Sequence, residues 1–144
     1  MNRVLNPISR ALVALIFVLS GFGKLANFSG TAAFMVANGF PGSTVKLFLV
    51  AAMALELGCG LALLAGFKTK WASLGLIVFL IPATLIFHAA HLSDPAQAQM
   101  QMIEVLKNLA ILGGLVKFYT DGAGSFAVDS MVQRPALVTG AQAR

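Results

Sequence analysis

Four stretches of this chain are sparsely charged and about as long as a bilayer is thick: Ile8 to Leu25, Leu47 to Phe67, Trp71 to Phe87 (extendable to Ala90) and Met102 to Tyr119. A helix rising 1.5 Å per residue needs roughly 20 residues to cross about 30 Å of hydrocarbon, and each stretch approaches that length. They largely lack the polar face of a helix that shields a water-soluble core. Composition agrees, with 58% hydrophobic and 10% charged residues where soluble chains carry about 25% charged. The expectation is an all-α integral membrane protein, a bundle of four transmembrane helices; a soluble protein built from wholly apolar core helices is the competing reading. Residues 1–120 make the bundle, and 121–144 are read as a short polar cytoplasmic tail, partly disordered.

Arg3 and Arg10 before the first apolar run imitate a secretory signal. The run ends in SGFGKLANF, without a small-x-small cleavage pattern, and three more runs follow, so it reads as a retained helix. Basic residues set the orientation. Arg3 and Arg10 precede the first helix, Lys68 and Lys70 lie in the turn GFKTKW, and Lys117, Arg134 and Arg144 lie at or after the end of the fourth. Four crossings place all of these on one side, the cytoplasm, with both termini there. Trp71 and Tyr119 fall where interfacial aromatics belong. The net charge of +5 then reflects orientation and anionic lipid, and no nucleic-acid module accompanies it.

One glutamate interrupts the second apolar run, in AAMALELGCGLALLAG. With Arg10 and Lys68 taken as the cytoplasmic level, Glu56 lies roughly 18 Å up its helix and Lys24 roughly 21 Å up the first. Counted from Lys117, Asn108, Lys107 and Glu104 lie at roughly 14, 15 and 20 Å, and His88 lies roughly 27 Å above Lys70. Every helix thus supplies polar groups to the outer half of the membrane. A lone charge near the bilayer centre costs at least about 2.5 to 3.5 kcal/mol, so such groups face inward and pair. The expected pairs are Lys24 with Glu56 and Glu104 with Lys107.

Two readings of that cluster stand side by side. It forms a binding site, or it only fixes helix register; Lys24 can also snorkel toward the outer headgroups. His88 and His91 share helical spacing, but interfacial hydrogen bonding suits them better than a metal, and no metal is expected. Cys59 has no partner cysteine and reads as a small packing residue. Gly58, Gly60, Gly66, Gly75, Gly113 and Gly114 allow close helix approach, and Pro82 should kink the third helix. In the first outer loop, Ser29 reads as a helix start and Gly39 and Pro41 as its stop, giving a short interfacial helix that lids the bundle.

Taken together, Arg10, SGFGKL, the glycine-proline outer loop, LELGCGLALLAGFKTKWA, a histidine closing the third helix and LKNLAILGGL resemble the DoxX family of small bacterial membrane proteins over roughly residues 7–120. The resemblance implies a four-helix, multi-pass protein of the bacterial cytoplasmic (inner) membrane, often an oxidoreductase component. Named members are associated with thiosulfate:quinone oxidoreduction or a membrane-bound oxidative-stress complex. Transferred position by position, the motif selects Lys24, Glu56, His88, Lys107 and Asn108; depth adds Glu104.

The sequence has no haem-binding spacing, no dinucleotide glycine loop and no cysteine pair, so no cofactor of its own is identifiable and no residue is assigned as catalytic. Redox work would need a partner's electrons or a quinone. Three functions are compatible with these residues: an accessory or quinone-binding subunit of a membrane redox system, a small carrier or lipophile-binding protein, or a structural or assembly protein. The expected partners are the lipid bilayer, a membrane or peripheral redox protein and a second copy of the chain, with no nucleic acid.

Overall fold

The computed structural model describes residues 2–132, all of whose regular structure is helical. α1 is Asn2–Ala26, α2 Phe28–Ala37, α3 Val45–Ala65 and α4 Thr69–Phe87, the last continued by a 3-10 turn at Ala89–His91. α5 is Ala98–Asp121 and α6 is Val128–Val132. Arg134 and Arg144, two of the basic residues on which the expected orientation rests, lie outside the described residues, as does the stretch 133–144 of the tail.

Three segments, Val4–Ala26, Val45–Ala65 and Thr69–His91, are both long and apolar enough to cross a membrane. α5 has comparable length, 24 residues, but Glu104, Lys107, Lys117 and Asp121 dilute its hydropathy. The outward faces settle the solvent. Leu12, Leu19, Leu47, Val78, Leu85 and Ile103 are each more than half exposed, and a continuous apolar surface of that kind is stable only against lipid.

Since lipid competes equally well for apolar side chains, the helices are held by close approach. A side chain at Gly21 would meet Leu57 Cγ at 2.7 Å, and one at Gly60 would meet Val18 Cγ2 at 3.1 Å, which draws α1 onto α3. One at Gly75 would meet Cys59 Sγ at 2.6 Å, so Cys59 fills the groove that Gly75 leaves between α3 and α4. α5 leans chiefly on α4. Ala14, Phe17, Leu63, Ala72, Leu76, Leu80 and Leu115 form the central core, and Met35, Val45, Leu49 and Met53 a second one beneath α2.

The lid helix starts earlier than Ser29. Asn27 caps it by accepting from Gly30 N at 3.2 Å, which leaves Ser29 inside the helix. Gly39, at φ +90°, ends the run as expected. Phe34 and Phe40 both stack on Phe87, at 5.9 and 5.7 Å between ring centroids, and pin the lid to the end of α4.

At the opposite end the chain after Asp121 folds back on the bundle as far as it is described. Arg10 is 1% exposed and donates from Nη1 to Ala123 O at 2.6 Å and from Nη2 to Phe126 O at 2.7 Å. Asp129 accepts from Lys68 N at 2.7 Å and Thr69 N at 2.9 Å, capping α4 from outside its own sequence. This cap holds Lys68 in the left-handed region, at φ 44°. Residues 122–132 are therefore a docked clasp.

Candidate functional site

Beneath the lid lies a cavity of about 490 Å³ to which all five long or lid helices contribute. Lys24, Glu56, His88, Glu104, Lys107 and Asn108 all line it. Its remaining wall is mostly apolar, with Phe17, Phe79, Leu80, Phe87, Met35 and Leu49 among the lining residues.

Glu56 owes its position to a break in helical register. Leu55–Cys59 is a π-helical turn, with Gly60 N bonded back to Glu56 O and Leu57 O. The residue thereby added to one turn rotates the later residues of α3 by about 100° relative to a continuous α-helix. Gly58 and Gly60 put little side-chain bulk in the way, and the bare face of Gly21 lets α1 close on the same turn. Glu56 is 2% exposed; Oε1 accepts from Lys24 Nζ at 2.8 Å, whereas Oε2 has no hydrogen-bond partner. Lys24 Nζ also donates to Ser20 Oγ at 2.5 Å, one turn earlier on α1, and stands 5.9 Å from the centroid of the Phe79 ring. The ammonium is thus held by three elements, and the pair expected from membrane depth is formed.

The opposite wall is built on α4 and α5. Asn108 Nδ2 donates to Thr84 Oγ1 at 3.0 Å, and Thr84 Oγ1 donates to Leu80 O at 2.7 Å, two residues before Pro82. Glu104 and Lys107 pair with each other at the rim, where both are partly exposed. His88, at the end of α4, places Nδ1 2.8 Å from Gln101 Oε1. His91 does not line the cavity, so the two histidines do not act together there. Among the described residues no three His, Cys, Asp or Glu side chains are grouped to hold a metal.

Three members of the network are absent from the sequence reading: Ser20, Thr84 and Gln101. Ser20 was accessible, being four residues before Lys24 and hence on the same helix face. Thr84 and Gln101 reach their partners across helix pairs, and no local spacing announces them. Arg10, by its place in the sequence an interfacial anchor, is instead buried against carbonyls 113 and 116 residues away.

The profile of the DoxX family matches residues 6–89. The chain belongs to the DoxX family. It is 31% identical over 127 residues to "Inner membrane protein YqjF" of Escherichia coli (strain K12), covering 88% of this chain and 91% of that protein. It is 28% identical over 126 residues to "Inner membrane protein YphA" of the same organism, covering 88% and 89%. No solved structure matches. With these relatives and its apolar helices, this DoxX protein is a multi-pass protein of the inner membrane. Lys24, Glu56 and His88 fall within the stretch matched by the family profile, whereas Glu104, Lys107 and Asn108 lie beyond it.

Proposed function

We propose that this DoxX protein crosses the membrane four times with both ends in the cytoplasm, and that its cavity binds the head group of a membrane quinone, making it an accessory subunit of a redox system. Two features support α5 as the fourth crossing. Its charges neutralise each other in pairs, Glu104 with Lys107 and Lys117 with Asp121, and the first pair borders the cavity. The basic groups Arg10, Lys68, Lys70 and Lys117 share one end of the bundle, as the cytoplasmic side of a membrane protein requires.

The observation that carries the quinone reading is the unpartnered Glu56 Oε2 at a cavity whose walls are otherwise mostly apolar. A buried polar atom left without a partner costs about 1 to 3 kcal/mol, which a ligand bearing a donor would recover. The donors fit as well. Lys24 Nζ has three N–H groups, of which Ser20 and Glu56 take two; Asn108 Nδ2 has two, of which Thr84 takes one. One N–H on each side thus remains for the two carbonyl acceptors of a quinone. A quinone bound here supplies two-electron, two-proton redox capacity. In its reduced form it carries hydroxyls, and Oε2 is the acceptor suited to one of them.

A second reading rests on the same pair. Lys24 and Glu56 join α1 to α3 and would fix their register in a purely structural or assembly protein. Mass spectrometry of lipophiles extracted from protein purified in mild detergent separates the two. Wild type is compared with a Lys24→Met, Glu56→Gln double variant matched for folded yield. A quinone enriched in the wild type and lost from the variant supports the binding site; identical extracts support the structural role.

A further inference from the structure

The lining of the cavity is unevenly covered. The residues that α3 and α4 contribute, such as Leu49, Glu56 and Leu80, are buried or half-buried. The exposed ones are Ile16 and Gly23 on α1, Lys107 on α5 and Phe34 on the lid. A side chain at Gly23 would meet nothing within 4 Å. α1 and α5 are neighbours with a slight contact, much less extensive than that between α4 and α5. They approach at Gly114, where a side chain would meet Val13 Cγ2 at 3.4 Å, one turn before Ile16. Beyond that level both helices line the cavity, α1 from Ile16 to Lys24 and α5 from Glu104 to Ile111, or about 10 to 12 Å of each. At the lid end, Phe34 and Phe40 both stack on Phe87 and tie the lid to α4.

From this distribution we infer that the cavity opens sideways into the bilayer through a slot between α1 and α5, and that the ligand's hydrocarbon tail leaves by this slot while its head stays among Lys24, Glu56 and Asn108. The identity of the head group rests on the quinone reading; the path of the tail rests on the exposed lining. Leu19 on α1 and Ile103 on α5 face lipid on the same two helices, so a tail leaving the slot meets hydrocarbon. The Glu104 and Lys107 pair at its rim is formally neutral and repels neither a quinone nor a zwitterionic neighbour. Such a ligand is drawn from the membrane and not from water, and the lid need not move to admit it.

The test uses the full chain in phospholipid nanodiscs with a prenylated quinone that carries a photoreactive azide on the second isoprene unit of its tail. After illumination, the label should map to 16–24 and 104–111 and be competed by unlabelled quinone. Competed label on the outer faces of α3 or α4 would overturn the slot and leave the head-group site standing. Absence of any competed label would overturn both. A Gly23→Trp variant provides the second measurement. It should bind the long-tailed quinone about tenfold more weakly while binding a tail-less quinone as wild type does, with Leu19→Trp on the lipid face as the control. Equal effects on the two quinones, or none on either, would refute the slot.

Discussion

Removing the lysine of the buried pair should be far more damaging than removing the pair. In Lys24→Met the charge left behind is Glu56, 2% exposed, with neither oxygen bonded. Stranding one partner of a buried ion pair costs about 3 to 5 kcal/mol. In Glu56→Met the charge left behind is the ammonium, 24% exposed and still bonded to Ser20 Oγ. Only a charged hydrogen bond is lost there, about 1.5 to 3 kcal/mol. The double variant Lys24→Met, Glu56→Met leaves no charge and fills similar volume with thioether, so it should lie within about 1 kcal/mol of wild type. Independent sites would instead add to about 4.5 to 8 kcal/mol, the sum of the two single losses. Reversible unfolding by SDS titration in mixed micelles of a mild non-ionic detergent measures all four corners of the cycle. Additive losses, or a Lys24→Met cost below about 1 kcal/mol, would show that Glu56 does not depend on Lys24.

The clasp at the other end gives further expectations. Arg10→Met should remove both carbonyl contacts and destabilise by about 2 to 4 kcal/mol, with faster proteolysis within 122–132 as the direct readout. Gly66→Ala should cost more than about 1 kcal/mol, because Gly66 sits at φ 68° and the new methyl would collide with Arg10 and Ala127; Gly23→Ala, in open helical surface, should be neutral or slightly stabilising in the same unfolding assay. Burial raises the Asp129 pKa, but its bonds from Thr69 N and Lys68 N and the nearby Arg10 outweigh this and hold the carboxyl below its ordinary value. Its contribution is therefore complete above the usual aspartate range, near pH 4, and is lost as pH falls through the depressed value. Hydrogen-exchange protection in 122–132, taken relative to the intrinsic rate at each pH, should fall in that acidic window in wild type and be low already at neutral pH in Asp129→Asn.

What could be read from the sequence was what a membrane makes expensive. Charges in apolar runs must pair, and counting 1.5 Å per residue from basic anchors was enough to match Lys24 with Glu56 and to place Asn108 and His88 in the same outer half of the membrane. The π turn was not legible, because it alters which atoms bond and leaves the apolar pattern of AAMALELGCG unchanged. Neither was the clasp. GAGSFAVDS has the glycine-rich composition of a loose tail, yet Arg10 and the turn at Gly66 to Thr69 hold it through backbone groups that leave no mark on composition. The lid was legible as an element and misplaced at its start, where Asn27 and Ser29 are both acceptable caps and only geometry chooses between them.

The Arg10 clasp also constrains the order in which the protein is completed. The guanidinium is synthesised 113 residues before the first carbonyl that receives it. At about 5 to 20 residues per second, that is a wait of roughly 6 to 23 s. During the wait, Arg10 belongs to a helix already entering the bilayer, and it must be hydrated or held by lipid phosphates at the membrane surface. Only after Phe126 has emerged can it be withdrawn from water. Seating of α1 to its final depth is thus a late event in biogenesis, timed by the far end of the chain.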